Sequence, residues 1–314
     1  MGANTAEMTR LLRIRDGIYA DDLVLAAIVR LDLLTVIAEQ PGTLDDLCRG
    51  NGLAHRPVDV LCTLLRAMGL VEPGEILRPT PLARASMIRG APFDLRPYLA
   101  SGASRSACLE QVELLRTGQP AAWTGGRAGA WPHDPAFGEH LSPAIEARAQ
   151  LFATPLVNVI KDLPVTSLLD ISGTGACAKL LADQRLGVAV TVLEPAAHFE
   201  RLPDGHDLHL LSHTLHCWDE RAARRIVGRC YDALLPGGWI IDHDTHLNAD
   251  KTGPLPVARY SALLLHATKG QCWSEVEIGG FLADAGFVDI AVRPCGPDRT
   301  AILAHKPTSP QVGM

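Results

Sequence analysis

From Val165 onward the chain alternates short apolar runs with amphipathic stretches, and this alternation restricts the possible folds more than any other feature. The apolar runs are "TSLLDI", "VAVTVLE", "DLHLLSH" and "GGWIIDHD", followed by a final pair, "VDIAVRP" and "TAILAHK". Helical stretches lie between them at "ACAKLLADQ", "DERAARRIVGRCYDAL" and "WSEVEIGGFLADAG". Near-continuous apolar strands separated by helices predict a parallel sheet buried on both faces, here with an antiparallel edge. The segment "SLLDISGTGACAKLLADQ", Ser167 to Gln184, reads as strand, small-residue turn and helix, the entry to a nucleotide-binding fold.

The N-terminal part follows another pattern. Residues from about 8 to 40 carry apolar residues at helical spacing, among them Leu23, Ala26, Ala27, Leu31, Leu34 and Ile37. Thr43 is a good N-cap for a second helix, and "HRPVDVLCTLLRAMGLV" gives a third. "VEPGEILRPTPLARASM" reads as a short hairpin running into a helix, so the module is predicted to be a winged helix. Such modules often bind DNA. The third helix, however, is dominated by Val58, Val60, Leu61, Leu64, Leu65 and Met68, and base or phosphate readout needs a basic, polar face. A packing or dimerisation role is expected instead. Residues 95–164 are again helical around a polar interruption, "TGQPAAWTGGRAGAWPHDP", whose Trp123 and Trp131 are candidate pocket walls. The expected organisation is therefore 1–94, a winged-helix dimerisation domain; 95–164, a helical pocket segment; and 165–308, a Rossmann-like domain.

A formal charge of −6 speaks against non-specific nucleic-acid binding. No apolar run is long enough to span a bilayer. The N-terminus "MGANTAEMTRLLRIRDG" has no signal-peptide core, so a soluble, cytoplasmic protein is expected. None of the eight cysteines forms a C-x-x-C pair, which predicts buried free thiols.

Taken together, "LLRAMGLVE", "PTPLARA", "RTGQPAAW", "LLDISGTGA", "LSHTLHCWDE", "LLPGGWIIDHD" and "WSEVEIGGFLADAGF" resemble the small-molecule O-methyltransferase family that uses S-adenosylmethionine. The resemblance runs over almost the whole chain. It implies a homodimer joined through the N-terminal helices and a small phenolic or polyketide-like natural product as substrate. It also implies a cofactor site at Asp170, Gly173, Gly175 and Glu194, and a catalytic base at His216.

The departures from the family pattern are as informative. Where the family has Asp-Val-Gly-Gly-Gly-Thr-Gly, this chain has Asp170, Ile171, Ser172, Gly173, Thr174, Gly175, one position shorter and with serine for a glycine. Only thirteen residues, Pro195 to Asp207, separate Glu194 from the next strand run. A crossover helix with its strand needs about thirty residues. Thirteen extended residues reach roughly 43 Å, enough to cross a neighbouring strand. The third strand, which carries the adenine side of the cofactor cleft, is expected to be missing. The family's His-Asp pair is here His216-Cys217, and Cys272 stands where an acid is common. Both cysteines are candidate pocket residues.

These departures predict weak or no binding of S-adenosylmethionine, and hence no cofactor. The expected activity is an acid–base cyclisation, rearrangement or elimination on a natural-product intermediate. An ordinary S-adenosylmethionine-dependent O-methyltransferase and an inert binding homodimer are the alternatives. Because consecutive strands joined by one helix are usually neighbours, the ends of "DLHLLSHTLH" and "WIIDHDTH" should share one cleft. They would bring together His213, His216, Asp242 and Asp244 as candidate acid–base residues. Period-two alternation adds His246 to the face of Asp242 and Asp244 if the strand runs that far, with His243 opposite. His213, His216, Asp244 and His246 form a secondary metal-site candidate, while the expectation is that no metal is bound.

Overall fold

The computed structural model describes residues 5–120, 135–172, 175–184, 187–193 and 201–308. The chain divides into two compact units. One comprises Leu12–Gly129 with Leu247–Ala267; the other comprises Met1–Leu11, Ala130–His246 and Thr268–Met314. The described residues 95–120 and 247–267 fall in the same unit as the N-terminal helices.

In the first unit, α1 (Thr5–Asp16, which begins in the other unit) leads to α2 (Ala20–Leu25), a π-turn over Ala26–Arg30 and α3 (Leu33–Glu39). The stretch expected to be one helical region is interrupted at Asp32, which takes a left-handed φ of 51°. Its carboxylate accepts from Thr35 Oγ1 at 2.6 Å and pairs with Arg89 at 2.6 Å and Arg96 at 2.9 Å. The break is thus fixed by arginines more than fifty residues away. Thr43 caps α4 (Leu44–Asn51) in a reciprocal box with Asp46. Then α5 (His55–Ala67) buries Val58, Val60, Leu61, Leu64 and Leu65. The predicted hairpin survives as one isolated antiparallel bridge, Val71 with Pro79, while Leu77 bridges outward to Gly42. It leads into α6 (Pro81–Ser86), α7 (Arg96–Ala100) and α8 (Ser106–Thr117).

The second unit is a three-layer sandwich. After α9 (Pro135–Ile160) come β1 (Ser167–Asp170), α10 (Ala176–Gln184), β2 (Ala189–Val192) and β3 (His206–Ser212). Next come α11 (Glu220–Ala233) and β4 (Leu234–Asp244). The helix α12 (Leu255–Ala267) returns to the first unit. The chain closes with α13 (Glu275–Ala285), β5 (Val288–Pro294) and β6 (Thr300–His305). The six strands run in the order β2-β1-β3-β4-β6-β5, parallel except for the ladders of β6. Among the described residues β1 lies between β2 and β3 and β2 is the rim, so no strand lies beyond β2 there, in keeping with the expected loss of the third strand. Leu168, Leu208, Leu210 and Ile241 face α9 and α10, while Leu169, Leu211, Ile240 and Ile302 face α11 and α13. Among the described residues, no helix is long and apolar enough to cross a membrane. All eight cysteines are free thiols.

One buried residue breaks the apolar pattern of the sheet. His209 lies between Leu169 of β1 and Ile240 of β4, fully buried, with neither ring nitrogen in a hydrogen bond. Burial, helped by the nearby His206 and Lys306, pushes its pKa down to about 3. The folded chain therefore keeps this ring neutral at pH values where the unfolded chain protonates it, below about 6.5. Its contribution to stability is complete above the unfolded pKa. It falls by about 1.4 kcal/mol per pH unit from there toward pH 3. His209→Leu removes the penalty. By equilibrium denaturation the variant should gain about 2 kcal/mol more over wild type at pH 5 than at pH 8. Equal gains at both pH values would contradict a neutral buried ring.

Candidate active site

The chemistry gathers where the carboxyl ends of β1, β3 and β4 meet, the usual ligand position in such sheets. β3 ends at Ser212. His213 follows with φ 54°, a left-handed conformation uncommon for a residue with a Cβ. A 3-10 turn, Leu215–Cys217, then carries His216. Residues 268–273 clamp this turn. Thr268 Oγ1 donates to His216 O at 3.4 Å, Lys269 N to Cys217 O at 3.3 Å and Trp273 Nε1 to Leu215 O at 3.1 Å.

His216 Nδ1 is 2.7 Å from both carboxylate oxygens of Asp244, the last residue of β4. Thr245 N also donates to Asp244 Oδ1, at 2.7 Å. His213 Nδ1 approaches the same oxygen to 3.1 Å, off the direction a hydrogen bond needs. Asp244 is thus a buried carboxylate bracketed by two imidazoles. Burial alone would raise its pKa, but His216 and His213 hold it well below the usual carboxylate range, so it is ionised. Burial, with Arg148 nearby, keeps His213 well below the usual imidazole range and hence neutral.

Asp242 and His246 form a separate pair. β4 stops at Asp244, so alternation does not carry His246 to the cleft face. The chain turns instead, and His246 Nε2 meets Asp242 Oδ2 at 2.9 Å while its Nδ1 meets Thr300 Oγ1 at 2.6 Å. Burial raises the Asp242 pKa. His243 points to the opposite face, as alternation requires, where its Nδ1 lies 3.1 Å from Ser212 Oγ. Burial, aided by Arg299, pushes it down to about 3. The five candidates thus separate into a His213–His216–Asp244 cluster and an Asp242–His246 pair.

The two cysteines differ. Cys272 is buried beside Thr245 Oγ1 at 3.5 Å, and burial pushes its thiol up to about 12, which rules out a thiolate nucleophile near neutral pH. Cys217 is half-buried, with Sγ 3.9 Å from His213 O. Glu277 belongs to the capping box of α13: Ser274 N donates to its Oε2 at 2.7 Å.

The turn after β1 is well built where it is described. Asp170 is buried, and its Oδ1 accepts from Ser172 N at 2.8 Å. Its Oδ2 is buried with no hydrogen-bond partner. Gly175 has φ 66°, and a Cβ there would lie 3.0 Å from Val192 Cγ2. A Gly175 without room for a Cβ and an orphaned carboxylate oxygen at the end of β1 fit one side of a nucleotide-type cofactor. Gly173, Glu194, Trp123 and Trp131 lie outside the described residues.

With this geometry in place, the relatives can be compared. The family profile described as the O-methyltransferase domain matches residues 167–288, which include the β1 turn, His216 and Asp244. Residues 167–288 thus match an O-methyltransferase domain. It is 27% identical over 332 residues to a 3-hydroxy-5-methyl-1-naphthoate 3-O-methyltransferase of Streptomyces sahachiroi, covering 94% of both chains. It is 26% identical to a tetracenomycin polyketide synthesis 8-O-methyl transferase of Streptomyces glaucescens, covering 93% of this chain and 95% of that one. An O-methyltransferase family 2 protein of Planctomyces limnophilus, solved with apigenin, superposes with a TM-score of 0.81 at 24% identity, covering 97% of this chain and 99% of that one. That likeness extends the O-methyltransferase fold to the whole chain. The similarities favour methyl transfer over its loss, and the expectation of a cofactor-free protein finds no support in them.

Sequence reasoning had no signal for the clamp. Gly270 packs against the backbone of His216 and Trp218, and nothing in "TKGQCW" announces that contact.

Proposed function

We propose that the protein is an S-adenosylmethionine-dependent O-methyltransferase of a small hydroxylated aromatic or polyketide-like molecule, working as a homodimer. The observation that carries this reading is the His216–Asp244 pair at the carboxyl end of the sheet, inside an O-methyltransferase domain. Two relatives that align along the full chain are named for methylating naphthoate and tetracenomycin hydroxyls, which suggests the substrate class.

Asp170, Gly175 and the start of α10 would hold the cofactor, which when bound supplies an electrophilic methyl group. The chain's own residues prepare the acceptor. Asp244 accepts the Nδ1 proton of His216, fixing the tautomer that leaves Nε2 basic. Nε2 takes the proton of a substrate hydroxyl as its oxygen becomes nucleophilic. The ionised Asp244 stabilises the imidazolium that results. Asp242 is engaged by His246 and serves this strand end as a packing partner.

A second reading keeps the base and dispenses with methyl transfer. The missing strand favours it, because β2 is the rim of the sheet and nothing described covers the adenine side. One experiment separates the two. Purified protein is incubated with hydroxynaphthoate and related phenols, with and without S-adenosylmethionine, and products are weighed by mass spectrometry. Methyl transfer gives a product heavier by one CH2, a methyl group replacing the hydroxyl hydrogen, only when the cofactor is present. A cofactor-independent product of unchanged mass would establish the second reading and overturn the first.

A further inference from the structure

We propose that His213, His216 and Asp244 form a binding site for one divalent transition-metal cation. The proposal stands on geometry and does not depend on methyl transfer. One ring nitrogen of each histidine and a carboxylate oxygen of Asp244 all lie within 4.8 Å of one another. A cation about 2.0–2.2 Å from nitrogen and oxygen donors holds neighbouring donors about 3 Å apart. The His213–Asp244 separation of 3.1 Å already meets this, and the His216–Asp244 separation of 2.7 Å need open only slightly.

The second observation is His213 itself. Its side chain is 7% exposed, it is aimed at Asp244, and neither ring nitrogen makes a hydrogen bond. Buried polar groups are normally paired, and an exception calls for an explanation such as a missing ion. The backbone holds this ring in place through a left-handed φ of 54°. His216 Nδ1 and Thr245 N both hydrogen-bond to Asp244, so the carboxylate is oriented from two sides. Two imidazoles and one carboxylate suit zinc, cobalt or iron better than magnesium or calcium.

The cation would occupy the place of the proton between His216 and Asp244. Metal occupancy and the base role are then mutually exclusive, and zinc should inhibit turnover reversibly. The test uses full-length, tag-free protein stripped with EDTA and titrated with cobalt alone, followed by calorimetry and the visible ligand-field absorption of the ion. The expected result is one cobalt per chain with a dissociation constant in the micromolar range or tighter. His213→Ala, His213→Gln and Asp244→Asn should each weaken it by at least 10–100-fold. Circular dichroism verifies folding, and the two His213 variants guard against one of them failing to fold. Binding weaker than millimolar, or an affinity unchanged in the folded variants, would overturn the site. Turnover of the EDTA-treated enzyme is measured separately. A failed metal titration with intact methyl transfer removes this proposal alone, and the converse removes only the proposed function.

Discussion

His216→Ala should lower kcat by roughly 100- to 10,000-fold while leaving the chain folded, the range expected for losing a positioned general base. His216 is buried in a polar cluster, its Nδ1 2.7 Å from both Asp244 oxygens and its ring edge-on to His213, so truncation removes the base from among polar groups. Asp244 keeps its bond from Thr245 N and its proximity to His213, which limits the cost of leaving a buried carboxylate. Steady-state kinetics with saturating cofactor would show the loss in kcat, with KM for substrate changing little. Wild-type turnover in a folded variant would remove His216 from the mechanism under either functional reading.

The second large effect comes from a residue with no chemistry of its own. A Cβ on Gly270 would collide with the carbonyl oxygens of His216 and Trp218 and lie 2.6 Å from Trp218 N. All three are backbone atoms, so no rotamer change relieves the clash. Gly270→Ala must push the clamp off the turn that carries His216 or force the turn itself to move. Overpacking against side chains costs about 1–3 kcal/mol, and a collision with three backbone atoms belongs at or above the top of that range. The melting temperature should fall by about 5–10 °C. In whatever fraction remains folded, kcat should drop steeply, because a 1 Å misplacement of a catalytic group can cost 100-fold. A variant with native stability and turnover would show that residues 268–273 do not set the position of His216.

Much of this architecture was legible in the sequence. The strand run "VDIAVRP" coincides with β5, and the thirteen-residue gap after Glu194 agrees with a sheet that, among the described residues, has no strand beyond β2. Local patterns and chain reach decide such features. The juxtaposition of His216 and Asp244 was also accessible, because consecutive strands joined by one helix lie side by side. The helix break at Asp32 was not, since distant Arg89 and Arg96 hold the carboxylate there. The separate pairing of His246 with Asp242 escaped alternation because β4 ends two residues earlier. The role of Gly270 depends on two segments about fifty residues apart coming into backbone contact, which no one-dimensional pattern records.

The position of β2 at the rim bears on how this domain can change. In a doubly wound sheet an inner strand holds ladders on both sides, so removing one severs the sheet. An outermost strand holds a single ladder, and its loss leaves every other pairing intact. Here β1 keeps both of its partners, and β3, which leads to His216, and β4, which ends at Asp244, lie on the far side of β1 from the rim. The four-residue length of β2 also limits its use as a template for lateral association, which longer exposed edges invite. A helix–strand unit inserted between residues 194 and 206 would add to this rim without re-threading any existing connection. The domain can thus lengthen or shorten by whole units at that margin while His216 and Asp244 stay in register.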